Sequence, residues 1–109
     1  MTDPVSIGTA RLPLADIAPG TAVRLDVGST PVCLVRIGDD LYAIGDTCSH
    51  ANVSLAEGDV DEEDRCIECW KHGSAFSLVD GEPQSLPATK AVAVYPVHFD
   101  GADVVVTIP

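Results

Sequence analysis

The sequence predicts an all-β domain, a small barrel or sandwich of short strands. Three observations lead there. Alternation with period two recurs along the chain, turn residues separate the alternating runs, and helical periodicity is nearly absent. Leu14 to Ile17 allows at most one helical turn before Pro19-Gly20. Thr21 to Val27 follows as a strand, with Val23, Leu25 and Val27 on one face and Arg24 and Asp26 on the other. Val32 to Ile37 is apolar on both faces and reads as a central strand. Gly38-Asp39-Asp40 turns the chain into a strand over Leu41 to Gly45. Arg65 to Cys69 is a short strand after an acidic loop, and Ala75 to Val79 is another, ending at Asp80-Gly81. Val92 to Phe99 and Asp103 to Ile108 flank Asp100-Gly101, a strong hairpin signal. Val104, Val106 and Ile108 share one face of the last strand. Two stretches break the pattern: Thr47 to Asp64 has no sustained alternation, and Lys71 to Ser74 is a short loop. Long irregular loops in compact domains are usually functional.

At 109 residues the chain is read as one domain, residues 1–109. Hydrophobic residues make up 46%, which excludes global disorder. Six Lys and Arg oppose seventeen Asp and Glu, for a formal charge of -11. Such a balance argues against nucleic acid and against an anionic membrane surface, and it favours a basic protein partner. No apolar run approaches the length of a membrane span, and the N-terminal residues lack the pattern of a signal peptide. The expected compartment is therefore the cytoplasm and the expected state a monomer. In that compartment four cysteines are better read as thiols or metal ligands than as disulfides.

Both irregular stretches carry Cys and His. Cys48-Ser49-His50 lies in the first, and Cys69-Trp70-Lys71-His72 opens the second, with eighteen residues between His50 and Cys69. Each segment offers a thiolate and an imidazole within one turn of chain. Four such groups can close a tetrahedral zinc site or hold a two-iron cluster with Cys on one iron and His on the other. Zinc fingers usually pair Cys with Cys and His with His, whereas each segment here is mixed, so the spacing favours the cluster. Gly73 adds a point where backbone N–H groups can come close to sulfide.

Cys48-x-His50 with Cys69-x-x-His72-Gly73 resembles the signature of Rieske [2Fe–2S] proteins, and the size resembles the Rieske-type ferredoxins of multicomponent oxygenase systems. The resemblance implies an antiparallel base carrying a smaller cluster-binding lobe at approximately 47–77. It implies that Cys48 and Cys69 ligate the inner iron, and His50 and His72 the outer one. It also implies one-electron transfer from a flavin-containing, NAD(P)H-dependent ferredoxin reductase to a terminal non-haem iron oxygenase, with no turnover by the chain itself. The alternatives are an accessory Rieske subunit of another redox enzyme or of a cluster-assembly system, and a zinc-stabilised binding module.

The chain departs from the Rieske subunits of cytochrome bc complexes. Their two extra, disulfide-joined cysteines correspond to Val53 and Lys71, and a Tyr that donates to a ligand sulfur corresponds to Phe76. Ser74 keeps a hydroxyl in the second loop. Fewer hydrogen bonds to sulfur predict a potential in the lower half of the Rieske range of roughly −150 to +300 mV. Only His98 remains beyond the motif, so a mononuclear iron domain has no ligands here.

The other candidates have plainer readings. Cys66 forms C-x-x-C with Cys69, but period two puts the two on opposite faces. Cys33 shares a face with Val35 and Ile37 and reads as a buried thiol. His98 reads as a surface strand residue. Trp70 and Lys71 lie inside the ligand loop, where Trp70 either docks a partner or packs over the cluster. Glu57 to Asp64 holds six carboxylates in eight residues, either a solvated loop or a steering patch. Leu86-Pro87-Ala88 resembles the proline-containing loop that covers the cluster in the family.

Overall fold

The structure is a computed structural model, and it describes residues 8–27, 30–48, 53–71, 73–84 and 90–108. The strand order follows from the alternating runs. Strand β1 (Gly8–Pro13) precedes a short 3-10 turn, Leu14–Asp16. Then come β2 (Thr21–Val27), β3 (Thr30–Ile37) and β4 (Asp40–Gly45). A second 3-10 turn, Leu55–Glu57, leads to β5 (Asp59–Asp61), β6 (Cys66–Glu68) and β7 (Ala75–Ser77). The chain closes with β8 (Val94–Tyr95), β9 (Val97–Asp100) and β10 (Asp103–Ile108). These form three antiparallel sheets, β1-β10-β9, β2-β3-β4-β8 and β5-β6-β7. Among the described residues there is no α-helix, and no helix long and apolar enough to cross a membrane.

Strand β3 explains the layering. Val32 and Leu34 point into one apolar cluster, shared with Val104, Val106 and Ile108 of β10. Cys33, Val35 and Ile37 point the other way, into a cluster shared with Leu55, Ile67, Phe76 and Leu78. One face of the middle sheet is thus covered by the β1-β10-β9 sheet, and the other by the lobe that carries β5 to β7. A strand covered on both faces must be apolar throughout, which is what Val32 to Ile37 shows. Covering a sheet face removes roughly 25 cal/mol of unfavourable hydration per Å² of apolar surface.

Two predicted features are revised. Val92 to Phe99 is two strands: β8 pairs with β4, and β9 pairs with β10. Pro96 separates them, since it has no N–H for a ladder, and the chain changes sheets there. Its carbonyl still accepts the N–H of Thr107 at 3.1 Å. Second, the stretch 47–64 is less irregular than its composition suggests, because β5 pairs with β6 through Asp59–Glu68, Val60–Ile67 and Asp61–Cys66. Only Val60 of β5 is apolar, so three residues show too little alternation to be read. The hairpin at Asp100-Gly101 forms as expected, with Gly101 at a φ of 65°.

The lobe is fastened to the base at Arg65. This residue adopts φ 55°, a left-handed conformation costly for a branched or long side chain. Its Nη1 donates to Asp40 Oδ2 at 3.1 Å and to Tyr42 Oη at 3.3 Å, both on β4. The guanidinium also lies 6.0 Å from the Tyr42 ring centroid.

Candidate metal centre

Each cysteine of the motif stands at the head of a loop closed by backbone hydrogen bonds. After β4, the N–H of Asp46 reaches Pro31 O at 3.2 Å, and the N–H of Cys48 reaches Val53 O at 3.0 Å. Thr47 bridges to Ser54, and the N–H of Leu55 donates to Asp46 O at 2.6 Å. Residues 46 to 48 are therefore held against residues 53 to 55. After β6, the N–H of Cys69 donates to Ser74 O at 2.6 Å and the N–H of Gly73 to Cys69 O at 2.9 Å. Gly73 has φ 76° and open space where a Cβ would stand, so the tight return to β7 needs left-handed backbone at this residue.

The two loops meet in the core. Cys48 is 4% exposed and Cys69 fully buried, and both pack in the cluster that holds Leu55, Ile67 and Phe76. Neither is in a disulfide. Two buried soft thiols are the kind of donor that could supply half of the set a two-iron centre with mixed ligands requires. His50 and His72 lie outside the described residues, as does Leu86-Pro87-Ala88. Ser74 is fully buried, as is Phe76, which has no hydroxyl to donate. Val53 is half-buried and Lys71 exposed, and neither can form the disulfide brace of the cytochrome bc branch.

The remaining candidates separate cleanly. Cys33 lies in the core between Val32 and Leu34, and burial, then the Asp46 carboxylate, pushes its thiol well above the ordinary range. Cys66 is half-buried and pairs with Asp61 on the lobe's outer face. Desolvation raises its thiol, and the carboxylates of Asp61, Asp64 and Glu68 add to the shift. His98 is exposed on β9. Trp70 is 53% exposed. The acidic run spreads over the second 3-10 turn, β5 and the turn before β6, mostly in solvent. Sequence reasoning missed Asp46, a buried acidic residue two positions before Cys48. Its signal was an Asp directly after an apolar strand, where a turn residue is otherwise the natural reading.

The family model of the Rieske [2Fe-2S] domain matches residues 10–96. The chain belongs to the Rieske family. Its cofactor is one [2Fe–2S] cluster, and its part is to carry electrons, without catalysis of its own. The Rieske chain is 41% identical over 97 residues to the 3-phenylpropionate/cinnamic acid dioxygenase ferredoxin subunit of Escherichia coli (strain K12), covering 89% of this chain and 90% of that one. Among solved structures, it resembles the ferredoxin of carbazole 1,9a-dioxygenase from Nocardioides aromaticivorans IC177 with a TM-score of 0.87 and 36% identity, over 90% of this chain and 95% of that one. It also matches a chain in a complex of reduced oxygenase and oxidized ferredoxin in carbazole 1,9a-dioxygenase, at a TM-score of 0.83 and 38% identity, over 90% of this chain and 91% of that one.

Proposed function

We propose that Cys48 and Cys69 hold the inner iron and His50 and His72 the outer one, and that the chain, acting as a cytoplasmic monomer, passes electrons from a flavin-containing, NAD(P)H-dependent reductase to a terminal non-haem iron oxygenase. The observation that carries the ligand assignment is the burial of two free thiols, Cys48 and Cys69, in one apolar cluster at the heads of two loops. The [2Fe–2S] group supplies one-electron storage, and neutral imidazoles in place of two thiolates make electron uptake easier. Residues 1–109 form one domain, with the lobe at approximately 47–77 presenting the centre. The buried cysteines keep water from the inner side. Trp70 and Lys71, exposed inside the second loop, form the outer side at which a partner docks. The relatives named as dioxygenase ferredoxins, one of them in a complex with its oxygenase, support an oxygenase as acceptor. The missing hydroxyl at Phe76 supports a low potential within the family.

Electron paramagnetic resonance of the dithionite-reduced protein tests the assignment. A rhombic two-iron signal with an average g below that of all-Cys ferredoxins is expected. His50→Cys and His72→Cys should each abolish that signal or the centre itself. An unchanged spectrum in either variant removes that histidine from the ligand set, and zinc in place of iron removes the electron-transfer role.

A further inference from the structure

Asp46 is only 1% exposed, the one buried carboxylate among the described residues. Its backbone joins the first loop to the base, through the N–H to Pro31 O at 3.2 Å and the carbonyl to Leu55 N–H at 2.6 Å. Its side-chain Oδ1 accepts the N–H of Ala56 at 2.9 Å, in the first turn of the 3-10 segment Leu55–Glu57. The hydroxyl of Ser54, which precedes that turn and would ordinarily cap it, makes no such bond. Capping needs only an acceptor, and a neutral amide would supply one. Burying a full charge costs several kcal/mol unless it is well paired. The pairing here is partial: Arg24 Nε stands 3.9 Å from Asp46 Oδ2 and nearer to Asp26 Oδ1, at 3.3 Å, and its own side chain is 54% exposed. The buried carboxylate thus stands two residues from Cys48 with only a partial counter-charge beside it. Its field already reaches the buried Cys33 thiol, which it helps to hold protonated. In a medium of low effective dielectric such a charge acts over more than contact distance.

We infer that Asp46 and Arg24 form a charge pair that sets the reduction potential of the Rieske centre, the buried carboxylate lowering it and the half-exposed guanidinium moderating that effect. Adding an electron near a fixed anion is unfavourable, and near a fixed cation favourable. This inference rests on the Rieske reading and deepens it. Arg24 lies on β2, outside both ligand loops, so its effect on the centre is through charge and not through ligation.

The test is a potentiometric titration of the cluster-loaded protein, followed by its visible absorption. Asp46→Asn keeps the acceptor for Ala56 N–H and is expected to raise the midpoint potential. Arg24→Gln is expected to lower it. The Asp46→Asn shift should persist at 1 M salt, because a buried charge is poorly screened. Asp16→Asn, which removes an exposed carboxylate of the base, is the control and should give a smaller shift that vanishes at that salt. An unchanged potential in Asp46→Asn, even with a lowered melting temperature, overturns the inference and leaves Asp46 a structural cap. Shifts of the same sign in both variants overturn it too. Where Asp46→Asn fails to load the cluster, Arg24→Gln decides alone: a lower potential supports the pair, and none overturns it. A parent protein without the rhombic signal would instead sink the ligand assignment.

Discussion

At the scale of single residues, the buried sulfur atoms divide by what surrounds them. Cys48 and Cys69 sit at loop heads, whereas Cys33 sits in mid-strand with apolar neighbours on both sides. The Cys33 thiol is held protonated by burial first and by Asp46 second. A thiol raised in the folded state binds its proton where the unfolded chain has lost it, above about pH 8.5. The protein's stability therefore contains a contribution that is complete below that pH and declines as pH rises further. Denaturant titrations between pH 8 and 9.5 should show stability falling with pH, and the fall should be shallower in Cys33→Ala. An identical slope in the variant would mean that another group titrates. Cys33 was legible in the sequence because a cysteine flanked by Val and Leu on a both-faces-apolar run has one reading. Asp46 was not, because its burial is imposed by residues 31, 55 and 56, which close over it.

At the scale of elements, the lobe depends on close backbone approaches that the strand pattern does not announce. Gly81 follows β7 with φ 76°, and a Cβ there would stand 2.1 Å from Val92 O. Its N–H donates to Ser77 O at 2.9 Å, and its carbonyl accepts Val92 N–H at 2.9 Å. This glycine joins the exit of the lobe to the segment that leads into β8. Gly81→Ala should destabilise the fold by well over the ~1 kcal/mol that left-handed backbone alone costs an alanine. Gly38→Ala is the comparison, since Gly38 has φ 61° and open space around it. Equal losses in urea melts of the two variants would show that the approach at Val92 relaxes freely. The Asp80-Gly81 turn was readable as a turn, but its packing against Val92 was not, because the two residues meet only through the fold.

At the scale of the whole molecule, charge and exposed surface divide the work of finding a partner. A net charge of -11 gives a field that steers a basic protein surface and is screened by salt. In the docking proposed above, Trp70, half in solvent, would act only after contact. Electron delivery to the acceptor oxygenase should slow as ionic strength rises, and Trp70→Ala should slow it further at every salt concentration. Stopped-flow reoxidation kinetics check both, and a Trp70→Ala rate equal to that of the parent chain would remove the side chain from the docking surface. The β class, most strands and the family were determined by the sequence itself. Period-two alternation, turn residues and the offsets Cys-x-His and Cys-x-x-His are local properties that each segment carries alone. Tertiary structure decided the rest: the sheet change at Pro96, the pairing of β1 with β10, the meeting of Cys48 with Cys69 in one core, and the burial of Asp46. These depend on which distant segments pair and cover one another, and neither pairing nor cover is written in any short run of residues.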